Sequence, residues 1–241
     1  MKKLASVLCS LPLLLAAADL YLAGDSTMCD YEPRWAPMTG WGTALKSRVK
    51  TDVKVVNLAR GGRSSKSFIT EKRWEKILDE AKPGDFVIIQ FGHNDAHTGE
   101  KNRYRSTSAD ETFKLYLKIY LAEAKANGLN PVLCTKTALC RFKDGKVLDT
   151  GYRYVTACRE VAGETGCDFV DLNACAHEKF AAMGEAAADK LYMKLAKGES
   201  PNYPDGRRDS CHLRDRGADF YADSFVELAR KQGLKIAELF K

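Results

Sequence analysis

The chain has 241 residues, which suits one α/β domain, and 45% of them are hydrophobic, so a sizeable core can form and disorder is excluded as the main state. No apolar run reaches the roughly 20 residues that a membrane-spanning helix needs, which excludes a polytopic membrane protein. The formal net charge of +6 suits an acidic partner but, without a stripe of Lys and Arg interleaved with aromatic residues, does not favour nucleic acid.

The first 18 residues have the pattern of a secretory signal peptide. Lys2 and Lys3 precede the apolar stretch Leu4–Leu15, and three alanines follow it up to residue 18. A basic start, a short apolar run and small residues before the cleavage point are typical of such signals, with a buried strand or an uncleaved anchor as the alternatives. We therefore expect a secreted or periplasmic protein whose mature part, residues 19–241, forms one domain.

The cysteines do not point to a metal site. The chain has eight, and no two of them form a Cys-x-x-Cys pair, so structural zinc is poorly supported. Removal of the signal with Cys9 would leave seven. Export permits disulfides, but cysteines also serve as small buried hydrophobic residues, and the sequence assigns no connectivity.

Short apolar runs with β-branched or aromatic residues, each closed by Gly, Asn, Asp or Thr, predict buried strands. They are Leu20–Ala23, Val53–Leu58, Phe86–Phe91, Pro131–Thr135 and Phe169–Leu172. Helical patterns occur at Asp110–Ala126, Tyr152–Ala162, Ala174–Leu195 and Gly217–Lys231. This alternation predicts an α/β fold with a parallel sheet and helices on both faces. Two loop-like stretches, Ala96–Ala109 and Gly198–Arg216, are long enough to carry function.

Ser26 follows the first predicted strand, in the sequence Gly24-Asp25-Ser26-Thr27. In an open parallel sheet, ligands bind beyond the carboxyl ends of the strands. A serine at such a turn presents a free hydroxyl close to helix amides, as a nucleophile requires. An ordinary turn or helix cap is the alternative explanation, and the chain has no Gly-x-Ser-x-Gly elbow.

His212 is the histidine best supplied with a partner. In Asp209-Ser210-Cys211-His212, the carboxylate and the imidazole can meet on one turn. Asp209 would then fix the tautomer of His212 and leave the other ring nitrogen for Ser26. We interpret His93 as a structural histidine.

Two further strand ends supply hydrogen-bond donors. The second predicted strand leads into Gly61-Gly62-Arg63-Ser64, where glycines let backbone amides approach a ligand closely. The third leads into Gly92-His93-Asn94-Asp95, where Asn94 offers an uncharged amide. An oxyanion hole needs several such donors aimed at the developing charge, although a turn and a cap would explain the same residues.

These four motifs, in this order, resemble those of the SGNH/GDSL hydrolases. Within that superfamily the chain is most similar to the rhamnogalacturonan acetylesterases, because of Gly-Asp-Ser-Thr, Gly-Arg-Ser and Gln-Phe-Gly-His-Asn-Asp. The resemblance covers residues 19–241 and implies a flavodoxin-like three-layer α/β/α sandwich with a central five-stranded parallel sheet. By position, Ser26 would be the nucleophile, His212 the base and Asp209 its orienting acid. The Ser26 amide, the Gly62 amide and the Asn94 side chain would form the oxyanion hole.

The chemistry implied by the resemblance is acyl transfer through an acetyl-enzyme, with no metal and no organic cofactor. The substrate would be an acetylated polysaccharide or oligosaccharide. Arginines flank the Gly61-Gly62 motif and the Asp209–His212 motif. We expect Arg63, Arg207 and Arg208 to contact an acidic, pectic chain, since Arg suits carboxylate recognition.

Other functions remain open from the sequence. The same machinery could act on acetylated xylan, on another glycan, or on an aryl or lipid ester. A non-catalytic carbohydrate-binding protein is a remote alternative. A flavin or nucleotide binder is disfavoured because the first turn has no phosphate-binding run of glycines.

Overall fold

The structure is a computed structural model that describes residues 18–148 and 151–241. Apart from Ala18, the predicted signal peptide lies outside the described residues. The strands are β1 Leu20–Gly24, β2 Val55–Asn57, β3 Phe86–Gln90, β4 Asn130–Cys134, β5 Phe142–Lys143, β6 Lys146–Val147, β7 Asp168–Val170, β8 Tyr192–Leu195 and β9 Arg207–Leu213. The α-helices are α1 Trp41–Leu45, α2 Ser65–Thr70, α3 Arg73–Glu80, α4 Lys114–Ala126, α5 Tyr152–Thr165, α6 Leu172–Met183, α7 Glu185–Asp189 and α8 Asp215–Lys231. In the part of the chain described, no helix is long and apolar enough to cross a membrane.

Five parallel strands form the central sheet, in the order β2-β1-β3-β4-β7. This is the order of flavodoxin-like folds. Each of the five predicted strands coincides with one of them to within two residues at either end. Leu22 of β1 lies opposite Asn57 on one side and Ile88 on the other, so β1 is flanked by both strands that lead into the predicted donor loops.

Side chains alternate between the two faces of the sheet and enter two separate cores. Leu20 and Leu22 of β1 pack in one core with residues of α1, α6 and α8. Tyr21 and Ala23 pack in the other, with residues of α2, α3, α4 and α5. Helices cover both faces, so the predicted three-layer α/β/α sandwich is confirmed.

The region from residue 184 to residue 213 differs from the sequence prediction. The predicted helix Ala174–Leu195 is broken at Gly184, which adopts a φ of +78°, and its last four residues are strand β8. The predicted loop Gly198–Arg216 contains strand β9, which pairs antiparallel with β8. Buried Tyr192 and Met193 suit a helix or a strand equally well, so periodicity could not separate the two over so short a segment.

The remaining predicted helices are present. The segment predicted as Asp110–Ala126 begins with a π-helical turn, Ala109–Phe113, and continues as α4. The segments predicted to begin at residues 152 and 217 are α5 and α8, with bounds that differ by at most three residues.

Candidate active site

Ser26 lies at the carboxyl end of β1, in a turn held from both sides. The buried carboxylate of Asp25 accepts hydrogen bonds from the Thr27 amide (2.9 Å) and the Thr27 hydroxyl (2.8 Å). The hydroxyl of Tyr31 donates to the Ser26 carbonyl oxygen at 2.8 Å. The backbone around the half-buried Ser26 is thereby fixed, and its side chain is left to contact other elements.

The structure brings Ser26, His212 and Asp209 into one line of hydrogen bonds. His212 Nε2 lies 3.0 Å from Ser26 Oγ. On the other side of the ring, His212 Nδ1 lies 2.7 Å from Asp209 Oδ2. Both distances are normal hydrogen-bond lengths. With the Nδ1 proton donated to Asp209, Nε2 faces the serine hydroxyl as an acceptor.

Asp209 and His212 reach each other because β9 is irregular. Between two successive paired positions of β8, the partner residue in β9 changes from Leu213 to Arg208, so the intervening residues bulge out of the ladder. Asp209 Oδ1 closes this bulge by accepting from the backbone amides of Cys211 (2.9 Å) and His212 (3.0 Å). The bulge is the single turn that the Asp-x-x-His spacing predicts, although it is embedded in a strand.

The Asp209 carboxylate has enough donors to stay charged. Burial alone raises its pKa, but hydrogen bonds from the His212 side chain, from the His212 backbone and from the Cys211 amide, together with the charge of His212, lower the pKa well below its usual value. Arg207 adds two contacts to Asp209 Oδ2, from Nη2 at 2.7 Å and from Nε at 3.1 Å. Asp209 is therefore an anion at any pH near neutrality.

The predicted donors lie on the loops after β2 and β3. Gly62 has a φ of +81°, a conformation that glycine adopts without strain and that turns its backbone at the cleft. Asn94 is buried, and its Nδ2 donates to the carbonyl oxygen of Arg63 at 3.0 Å. Because an amide nitrogen carries two protons, this bond leaves the second N–H of Asn94 available.

Asp95 ties the connection after β2 to two parts of the long connection after β3. Its buried carboxylate accepts from the amide and hydroxyl of Ser65, which follows the loop that carries Gly61 and Gly62 (the glycine loop). It also accepts from the Gly92 amide (3.1 Å) and the Thr107 hydroxyl (3.1 Å). Burial raises the pKa of Asp95 to about 7, although the Ser65 and Thr107 hydrogen bonds lower it. One side chain thus links the connections that carry Gly62 and Asn94 to the loop 96–109.

A cleft of about 560 Å³ contains the predicted triad serine and base together with the predicted donors. Among the residues that line it are Ser26, Gly62, Asn94, Arg207 and His212. Arg63 and Arg208, two of the three arginines expected to contact substrate, do not line it. Arg63 is held by an ion pair with Glu71 at 2.8 Å, and Arg208 lines a neighbouring groove.

Several cleft residues were not singled out from the sequence. Arg105 lines the cleft from the loop 96–109, and Tyr31 and Trp35 line it from the segment after Ser26. Trp35 is 41% exposed, an unusual position for a large aromatic side chain. The sequence signal for Arg105 is weak, because one arginine in a polar loop resembles any solvated one.

His93 and Cys211 form a second contact inside the same cleft. His93 Nε2 lies 2.9 Å from the Thr137 hydroxyl, and Nδ1 lies 3.7 Å from Cys211 Sγ. Burial, and then the charge of Lys136, lower the pKa of His93 well below its usual value. Burial raises the pKa of the Cys211 thiol to about 12. A neutral ring with two side-chain contacts agrees with a structural histidine, and the thiol is not a reactive thiolate.

The seven cysteines of the described residues are all free thiols. Cys29, Cys134, Cys140 and Cys158 are buried, so these four serve as small core residues.

The chain is similar to known ester hydrolases over almost its whole length. Residues 22–220 match the model of the GDSL-like Lipase/Acylhydrolase family. The rhamnogalacturonan acetylesterase RhgT of Bacillus subtilis is 34% identical over 221 residues, which cover 91% of this chain and 93% of that protein. A rhamnogalacturonan acetylesterase of Emericella nidulans is 28% identical over 256 residues, covering 99% of this chain and 96% of that protein.

A solved structure shows the same fold. The crystal structure of the protein YxiM from Bacillus subtilis superposes with a TM-score of 0.75 at 28% identity, over 90% of this chain. This chain spans 57% of the length of that one. The resemblance predicted from the four motifs is confirmed: the chain is a carboxylic ester hydrolase and belongs to the GDSL-like lipase/acylhydrolase family.

Proposed function

We propose that the chain is a secreted carbohydrate esterase that removes acetyl groups from a pectic polysaccharide, in the manner of a rhamnogalacturonan acetylesterase. The observation that carries the proposal is the line of hydrogen bonds from Ser26 Oγ through His212 to Asp209, with lengths of 3.0 and 2.7 Å. It lies in an open cleft beside two amide donors, as acyl transfer requires.

The reaction proceeds in two steps through an acetyl-enzyme. His212 Nε2 takes the proton of Ser26 as Oγ attacks the ester carbonyl carbon, and it returns that proton to the sugar oxygen as the C–O bond breaks. Water then attacks the acetyl carbonyl carbon and gives one proton to His212. His212 passes that proton to Ser26 Oγ as the acyl C–O bond breaks, and the acetic acid released loses its remaining proton to solvent. Asp209 stays ionised throughout and stabilises the imidazolium.

The oxyanion that forms in each step needs donors that are already in place. Ser26, Gly62 and Asn94 all line the same cleft, and the hydrogen bond from Asn94 to the Arg63 carbonyl uses only one of its two amide protons. Donors held by the fold cost no reorganisation at the moment of reaction. We assign the oxyanion hole to these three groups.

Positive charge in and beside the cleft supports an acidic substrate. Arg105 and Arg207 line the cleft. A groove of about 610 Å³ shares Arg207 with the cleft and continues past the exposed Arg141 and Arg208. Guanidinium groups recognise planar carboxylates, and every uronate unit of a pectic chain carries one. The groove also contains Glu185 and Asp189, so the preference rests on the arginines that face solvent.

The substrate class is tested by acetate release from acetylated rhamnogalacturonan and from neutral acetylated xylan oligosaccharides. We expect a higher kcat/KM on the acidic substrate, and an advantage that shrinks as salt rises, because exposed charges are screened over about 8–10 Å at physiological ionic strength. Arg208→Ala should reduce this advantage without changing the rate on a small neutral acetyl ester. Lys235→Ala, at an exposed residue that lines neither the cleft nor the groove, is the control.

Equal, salt-insensitive rates on both polymers would contradict the pectic assignment and favour a general carbohydrate acetylesterase. Secretion is tested separately. The full chain is expressed with export permitted, and mass spectrometry of the exported protein should place the new N-terminus at Asp19, after the alanine run.

A further inference from the structure

Both non-serine donors of the proposed oxyanion hole have an arginine on their acceptor side. An amide that donates its N–H has a carbonyl oxygen at its other end. For the Gly62 amide, that oxygen belongs to Gly61, and Arg63 Nη1 donates to it at 2.8 Å. For the Asn94 side chain it is Oδ1, and Arg105 Nη1 donates to it at 3.1 Å.

Arg105 is itself held firmly. Its Nε and Nη2 both donate to Asn102 Oδ1, at 3.1 and 2.7 Å. Its Nη1 also lies 3.5 Å from the carbonyl oxygen of Gly62. Two contacts to one buried acceptor fix the plane of the guanidinium, so its position relative to Asn94 does not depend on substrate.

Arg105 and Arg63 differ in their contacts with carboxylates. Among the ion pairs of the described residues none involves Arg105, whereas Arg63 and Arg73 share Glu71 at 2.8 and 3.2 Å. One carboxylate between two arginines leaves a net positive charge behind the glycine loop as well. A positive charge therefore lies near the carbonyl oxygen of each of the two donor amides.

Cations in these positions strengthen the donors. A guanidinium bonded to an amide oxygen draws electron density from the nitrogen end, so the N–H becomes more acidic and its bond to an anion stronger. The ground-state ester carbonyl carries little charge and gains little from this. The effect is thus largest when the oxyanion forms, which is the condition for faster turnover without tighter substrate binding.

We propose that Arg105 and Arg63 are positioning residues that orient and polarise the Asn94 and Gly62 donors and need not touch the substrate. The proposal rests on the proposed function. For Arg63 it replaces the substrate contact expected from the sequence.

The test uses Arg105→Met, Arg105→Lys and a small neutral acetyl ester, which removes any contribution from uronate recognition. We expect Arg105→Met to lower kcat and kcat/KM together by about 10-fold, less than the ~10²–10³-fold for removal of a donor itself. Arg105→Lys should recover part of the loss because it retains the charge. Arg103→Met, an exposed residue of the same loop, is the control and should behave as wild type.

A double-mutant cycle identifies the route of the effect. If Arg105 acts through Asn94, then Arg105→Met costs little further activity once Asn94 is alanine. The same loss in both backgrounds would overturn the proposal, as would a higher KM with kcat unchanged or no effect at all. Thermal unfolding of each variant checks that the loop has not collapsed. Wild-type inactivity on acetyl esters would instead reject the proposed function, since this test compares variants with an active parent.

Discussion

The three side chains of the proposed triad have different surroundings. His212 has one nitrogen on a carboxylate and the other on a hydroxyl, so the two ends of the ring have different tasks. Asp209 receives contacts from both His212 and Arg207 and remains anionic. In the proposed mechanism Ser26 depends on His212 for its reactivity, because a serine hydroxyl is a weak nucleophile alone.

Single substitutions should separate these roles. We expect Ser26→Ala to lower turnover of a simple acetyl ester by roughly 10⁶-fold, the scale measured for removal of a triad serine. Asp209→Asn should lower it by about 10⁴-fold by presenting the wrong tautomer of His212. Steady-state kinetics with circular dichroism on each variant provide the measurement. Near-normal activity in Ser26→Ala would remove it as the nucleophile.

The loops that carry the donors are joined by a single buried carboxyl. Asp95 contacts the start of α2, the loop after β3 and Thr107 in the loop 96–109. Burial raises its pKa to about 7, above the value near 4 expected in an unfolded chain. Between these pH values the folded state binds more protons than the unfolded state. The contribution of Asp95 to stability should therefore fall as pH rises from about 4 to 7.

Asp95→Asn tests this linkage. The variant cannot titrate, so its free energy of unfolding should lack the decline between pH 5 and 7 that Asp95 imposes on the wild type. It should also be less stable at pH 5 by about 1–3 kcal/mol, because the new amide group faces the Gly92 or Ser65 donors and leaves one unsatisfied. Urea unfolding at several pH values gives both quantities. Parallel pH profiles for the two proteins would exclude Asp95 as the titrating group.

Sequence patterns predicted the central sheet well and the hairpin β8–β9 poorly. The five buried strands are continuous apolar runs, which local composition reveals. Strand β9 begins with two arginines and includes an aspartate and a histidine, so no alternation of apolar and polar residues marks it. The same limit applies to the site. Ser26, Asp209 and His212 follow from motifs, whereas the contact of Arg105 with Asn94 depends on how the long connection after β3 folds back on itself.

At the scale of the whole molecule, the proposed nucleophile and base belong to different parts of the fold. Ser26 is carried by β1, between two neighbours in the central sheet. His212 is carried by β9, in a two-stranded sheet separate from the central one. The hairpin is tied to the remainder by contacts such as the Thr39 amide to the Leu213 carbonyl at 3.0 Å and the Cys140 amide to the Ser210 carbonyl at 2.9 Å.

None of the residues Arg207–His212 of β9 is fully buried. This segment is therefore a candidate for local opening, which would separate His212 from Ser26 while both cores stay folded. On heating, activity should then disappear reversibly before ellipticity does.

A substitution at Gly206 should increase the difference between the inactivation and unfolding temperatures. Gly206 precedes β9 with a φ of +77°, and an added Cβ would lie 2.6 Å from the Leu195 carbonyl oxygen. Gly206→Ala should lower the inactivation midpoint more than the unfolding midpoint. Gly84→Ala, strained at φ +100° but with open space around it, should lower both together by about 2–4 °C for each kcal/mol lost. Coincident midpoints in all three proteins would mean that the hairpin and the cores melt as one unit.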